Sequence, residues 1–160
     1  MAITNGYCTL AQIKNSAGIT DSVDDELLEL AVEAASREID GACERQFFQT
    51  SATRIYTPRD SYVTDIDDLV TVTTIKTSSA ADGTFDTTFS TTDYQLEPLN
   101  GLAGGIATPA NSIRAIGNYN FPMSGGEATV QVIGTFGFSS VPTQITQATV
   151  LLGSRIFKRN

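Results

Sequence analysis

Side chains able to do chemistry are few in this sequence. There is no histidine at all. That removes Ser-His-Asp and Cys-His nucleophile pairs, imidazole metal ligands and the commonest general base near neutral pH. Asp65, Asp67 and Asp68 form one tight carboxylate cluster. Paired carboxylates can hydrolyse glycosides or hold Ca²⁺. This run lacks the glycine and distal glutamate of an EF-hand loop, however, and it reads as a solvated turn ahead of a strand. Glu97, beside Pro98, is an isolated acid at a strand end. Cys8 and Cys43 form no CxxC pair and are too few for a disulfide framework, so both read as small packing residues. No nucleophile elbow, phosphate-binding loop or dinucleotide fingerprint is present. The sequence calls for no metal, no cofactor and no catalytic residue.

The charge argues against a phosphate-gripping surface. Ten basic and eighteen acidic side chains leave a formal net charge of -8. Arg54, Arg59, Lys76 and Arg114 are scattered rather than interleaved with aromatics, and tryptophan is absent. The charge is also uneven. Residues 1–50 hold three bases and nine acids, whereas Arg155, Lys158 and Arg159 follow Pro142 with no acid among them. That asymmetry suits head-to-tail association of copies or docking on an acidic partner, and equally suits simple compensation of a helix dipole. With no apolar run near the roughly 20 residues that span a bilayer and no basic-then-apolar start, the expectation is a soluble chain made in a cytosol.

The elements that must position these residues are legible as blocks. Thr9 with Gln12 reads as a capping box opening a short helix, with Leu10, Ile13 and Ala17 on one face and Gly18 as its stop. Ser22, followed three residues later by Asp25, starts a helix from Val23 to about Cys43. Its apolar face is expected to carry Leu27, Leu28, Ala31, Ala35, Ile39 and Ala42. Glu33 and Arg37 fall at pairing distance, and the alanines would let a neighbour approach. Phe47 and Phe48 read as the core hinge between helix and sheet rather than as an exposed anchor. Strands are expected at 52–57, 69–77, 94–97, 112–116 and 128–136, separated by a long loop over 78–90 and a glycine-containing loop over 100–109. In the last strand Ala128, Val130, Val132, Gly134 and Phe136 share a face. Phe136 and Phe138 read as core or subunit-contact residues.

Helical periodicity returns after Val141 and Pro142 and runs to about Lys158. Ile145, Ala148, Leu152 and Ile156 form one stripe, with Val150, Leu151 and Phe157 outside it. A helix apolar over more than half its girth needs partners on two sides. One can be its own domain; the other points to a neighbouring chain. The fold class is therefore α+β: two N-terminal helices, a central small antiparallel β-domain and one C-terminal helix. The boundaries fall at 1–48, 49–139 and 140–160 of a single 160-residue domain.

The ordered set of segments resembles the phage head-tail connector (gp6-like adaptor) family. The opening carries YCTLAQIKNSAGITDSVDDELLELAVEAASREIDGACERQF. The middle has Leu69-Val70-Thr71-Val72-Thr73 and Thr92-Asp93-Tyr94-Gln95-Leu96-Glu97-Pro98. The end has Val132 to Phe138, Val141-Pro142, Gln147-Ala148 and Leu151 to Arg159. The likeness covers nearly the whole chain, and no single motif in it is catalytic. It implies a virion structural protein rather than an enzyme. Copies would form a ring, usually a dodecamer, between the portal and the tail or stopper of a long-tailed phage, with DNA crossing the lumen unbound. The virion neck is its expected location, after assembly in the host cytoplasm. The C-terminal helix is the part expected at a subunit or portal interface, through Ile145, Leu151, Leu152, Arg155, Ile156, Phe157, Lys158 and Arg159. Relatives often carry a basic tail beyond this helix, so docking through the helix alone and a shortened chain are both open. A stopper or tail terminator of the same neck, a ligand-binding β-domain and a hydrolase using Asp65, Asp67 or Asp68 are the competing readings.

Overall fold

The structure, a computed structural model, describes residues 2–103, 106–123 and 127–158. It has two compact units, residues 1–48 with 140–160 and residues 49–139. The fold class is α+β: three helices and, among the described residues, a six-stranded antiparallel sheet beside a two-stranded one.

In the helical unit, α1 spans Leu10–Ala17 and is closed at both ends as its sequence requires. The Thr9 hydroxyl accepts from the Gln12 N–H, while the Gln12 side chain accepts from the Thr9 N–H. Gly18 ends the helix with φ of 70°, a conformation that costs glycine nothing. α2 spans Asp25–Cys43, two residues later than its cap signal suggests: Asp24 sits at the cap position without a side-chain hydrogen bond. Its buried face carries Leu28, Ala31, Val32, Ala35, Ser36 and Ile39. Leu27 and Ala42, expected on that face, are exposed, because the face is centred one step round the helix, where Val32 and Ser36 lie. Glu33 and Arg37, expected to pair with one another, each take other partners. Glu33 accepts from the N–H groups of Thr4 and Asn5, and Arg37 pairs with Asp40 and lies over the Tyr7 and Phe48 rings.

α3 spans Thr143–Phe157. Its inward side is Thr149 and Gly153, both buried, with Val150 and Phe157 packed against the cluster of Cys8, Ile13, Leu28 and Val32. A Cβ on Gly153 would lie 3.0 Å from Ile13 Cδ1 and 3.5 Å from the Ala31 carbonyl oxygen. The missing side chain is what lets α3 come so close to α1 and α2. Cys43 is exposed, so the packing role expected for both cysteines holds only for Cys8.

In the β unit the strands are β1 (Thr50–Tyr56), β2 (Val63–Thr77), β3 (Thr87–Phe89), β4 (Tyr94–Glu97), β5 (Leu102–Ala103), β6 (Ile106–Ala107), β7 (Ala110–Ala115) and β8 (Val130–Phe136). Their order in the main sheet is β1-β8-β2-β7-β4, with β3 on β2. β2 is the spine. Its first half pairs with β7 and its second half with β8, through register shifts between Leu69 and Thr71 and between Val72 and Thr74. Asp65, Asp67 and Asp68 therefore lie within a strand, not in a turn. The 78–90 segment is not all loop, since β3 pairs with the end of β2, and the 100–109 segment holds β5 and β6. Gly104 and Gly105 lie outside the described residues. One side of the sheet buries Leu69, Ile75, Ile113, Val130, Val132 and Phe136 with Phe89 and Phe121.

Candidate assembly interface

The geometry of α3 depends on which of its faces the helical unit uses. With about 100° of turn per residue, the inward side at Thr149, Val150, Gly153 and Phe157 is nearly a third of a turn away from the sequence stripe Ile145, Ala148, Leu152 and Ile156. That whole stripe is only half-buried. Leu151 is 65% exposed. Of the residues singled out from the sequence, Ile145, Leu152 and Ile156 thus sit together on one half-covered stripe, and Phe157 reaches partly into the unit's own core. Leu151, Arg155 and Lys158 share the outer face at intervals of four and three, all exposed. Arg159 lies outside the described residues. Arg155 and Lys158 take part in no ion pair among the described residues.

A second exposed apolar row was not singled out from the sequence. Val23 is 87% exposed, and Leu27 and Leu30 are 47% exposed each. Leu27 and Leu30 follow 3-4 spacing along α2 with exposed Ala34, and Val23 lies in the turn just before the helix. The sequence does carry this signal: Leu30 has no place on the expected core face, and its neighbours at 27 and 34 complete a stripe of their own.

Asp65, Asp67, Glu97 and Tyr7 are held in ion pairs and hydrogen bonds within their own units. Asp67 binds Arg54 at 2.7 Å and accepts from the Tyr56 hydroxyl at 2.9 Å, and Asp65 pairs with Arg59 at 3.1 Å. Burial first, then the hydrogen bond to Asp67, drives the Tyr56 hydroxyl pKa upward. Glu97 takes the Arg114 guanidinium at 2.6 Å; that hydrogen bond holds its carboxyl below the usual range and pushes Arg114 up. In the helical unit the Tyr7 hydroxyl donates to Asp40 at 2.5 Å and accepts from the Phe47 N–H at 3.0 Å. Burial, then the Asp40 hydrogen bond, pushes Tyr7 up to about 12, and burial alone pushes the Cys8 thiol up to about 11. Phe47 is buried edge-on to Tyr7. No three histidine, cysteine or carboxylate side chains converge to hold a metal among the described residues. A cleft of about 270 Å³ beside Leu69, Leu96, Pro109 and Ala110 has no titratable group in its wall. No helix is long and apolar enough to cross a membrane among the described residues.

Among the described residues, this arrangement leaves exposed apolar and cationic surface on α3 and an exposed apolar row on α2. Three solved structures resemble it over 99% of the chain. They are the neck of an empty GTA particle computed with C6 symmetry (17% identity, TM-score 0.66, 81% of that chain), the virion of a native gene transfer agent (GTA) particle (20%, 0.66, 81%) and the neck of a native GTA particle computed with C12 symmetry (19%, 0.55, 80%). At such identities the likeness is one of fold. No curated protein matches. The family model described as phage gp6-like head-tail connector protein matches residues 7–92, which is more than half of the chain and takes in the capping box of α1, the whole of α2 and the β2 spine: the chain belongs to that family of head-tail connectors.

Proposed function

We propose that this connector works as an adaptor ring in a virion neck, between the portal and the tail or stopper, and that the ring extends the channel through which DNA passes. The whole chain serves as one connector module, assembled in the host cytoplasm and resident in the virion. It acts by binding, with no reaction of its own. The observation that carries the reading is the family match combined with a helix α3 that keeps Leu151 exposed and Ile145, Leu152 and Ile156 half-covered. Apolar side chains left in water beside cations are the raw material of a subunit or portal contact. The neck particles that share this fold were treated with sixfold and twelvefold symmetry, which supports a ring of copies.

The interface residues on this reading are Ile145, Leu151, Leu152, Arg155, Ile156, Phe157, Lys158 and Arg159. The test is mass photometry of the purified chain with and without the portal protein of its own particle. A ring-sized species, alone or on the portal, is expected. A chain that stays a monomer in both conditions overturns the proposal.

A further inference from the structure

We infer that the outer face of α3 of one copy seats on the Leu27-Leu30 row of α2, with Val23 in the turn just ahead of it, in the next copy, as a head-to-tail helix pair. The inference rests on the ring reading and names the surfaces that close it. Both patches lie in the helical unit and are different from one another, so each copy offers one of each. Such a heterologous contact generates a ring when the rotation closes.

Charge complementarity selects the second copy as occupant. The row on α2 is bordered by Asp24, Glu26 and Glu38. Arg37, the one cation within α2, is exposed but paired with Asp40 and laid over the Tyr7 and Phe48 rings. The face on α3 carries Leu151 with Arg155 and Lys158 and no acid. Seating Leu151 against Leu30 with the helices antiparallel brings Arg155 level with Glu26, each four residues or about 6 Å further along its helix. The same register carries Lys158 to the turn that holds Val23 and Asp24. It also lays the negative end of one helix dipole beside the positive end of the other. Glu26 has a partner within its own chain as well, and a carboxylate accepts more than one donor.

The test uses two chains, each with a single accessible thiol. In a Cys43→Ser background, Leu30→Cys and Leu151→Cys variants are produced together with the other proteins of the particle. Necks are isolated and treated with a short bis-maleimide. Because neither chain holds both thiols, the 30–151 bond can form only between copies. A covalent dimer at least about tenfold above that from either variant alone is expected, given the local concentration a contact imposes. If the chain is present in the necks and no excess dimer forms, the inference falls while the ring reading stands. Leu151→Cys joining only to a different neck protein also overturns it, in favour of portal docking. A chain missing from the necks overturns both.

Discussion

Tyr7 ties three segments of the helical unit with one oxygen. Its hydroxyl donates to Asp40, accepts from the Phe47 N–H, and its own N–H donates to Ser36 Oγ at 3.0 Å. Ser36 in turn donates to the Val32 carbonyl at 2.7 Å. Tyr7→Phe keeps the ring against Phe47 but strands a buried N–H, which costs about 1–3 kcal/mol. Urea unfolding followed by helix ellipticity should move to lower denaturant with little change in slope. Tyr7 and Cys8 also set an alkaline limit. Their folded pKa values, about 12 and about 11, lie above the ordinary values of 10.0 and 9.0. Each therefore contributes stability in full below its unfolded pKa and loses it as pH rises through the folded one. Stability of the helical unit should fall from about pH 9 upward, first through Cys8. Cys8→Ala should flatten the part between pH 9 and 11 in thermal melts; an unchanged slope would refute the assignment.

At the scale of elements, two glycines decide how closely strands and helices approach. A Cβ on Gly134 would stand 2.3 Å from the Thr71 carbonyl oxygen and 3.0 Å from Leu69 Cδ1, at the point where β2 shifts register against β8. Backbone on one side leaves nothing to yield, so Gly134→Ala should cost about 2 kcal/mol or more. Gly153→Leu should cost about 1–3 kcal/mol by wedging α3 away from Ile13 and Ala31, whereas Gly153→Ala sets a tight contact against a gain of about 1 kcal/mol in helix propensity. Chemical denaturation of the three variants checks the order. These positions explain what was legible beforehand. The capping box of α1, 3-4 periodicity and Val/Thr-rich runs are local, and they give all three helices, the β2 and β8 cores and the α+β class. The inward face of α3 is not local. It is chosen by a glycine and a threonine, Gly153 and Thr149, which carry no hydrophobic signal, and the greasier stripe at Ile145, Leu152 and Ile156 is left half-covered. The start of β2 was hidden for a related reason: Val63 to Asp68 alternates like a strand, but its exposed positions are aspartates, whose partners Arg54 and Arg59 come from outside the strand. The interface residues were legible only as unexplained apolar surface, and the α2 row was masked because Leu27 fits the core periodicity as well as the surface one.

For the whole molecule, the sign and the commitment of charge decide what the surface can hold. Residues 49–139 carry nine acids and four bases. Three of those bases are already spoken for: Arg54 by Asp67, Arg59 by Asp65, and Arg114 by Glu97. A phosphate approaching this unit meets Lys76 and an excess of carboxylates. The helical unit offers Arg155 and Lys158, but these are the cations assigned to the neighbouring copy, and nine acids precede them in residues 1–48. Backbone binding of duplex DNA requires several cations presented together, each displacing condensed counterions. In residues 49–139 the cations are spaced apart and largely neutralised. The chain should therefore show no saturable binding to duplex DNA tighter than about 10⁻⁴ M at physiological salt, measured by fluorescence anisotropy. Replacing Asp65, Asp67 and Glu97 by Asn, Asn and Gln should free three arginines and raise retention of DNA, with a dependence on salt that the parent lacks. A conduit that must release its cargo gains from such pairing, because each arginine held by a carboxylate is one fewer point of drag on the passing strand. Tight, salt-sensitive binding by the unmodified chain would mean that its surface grips DNA, and the proposed channel role would fail with it.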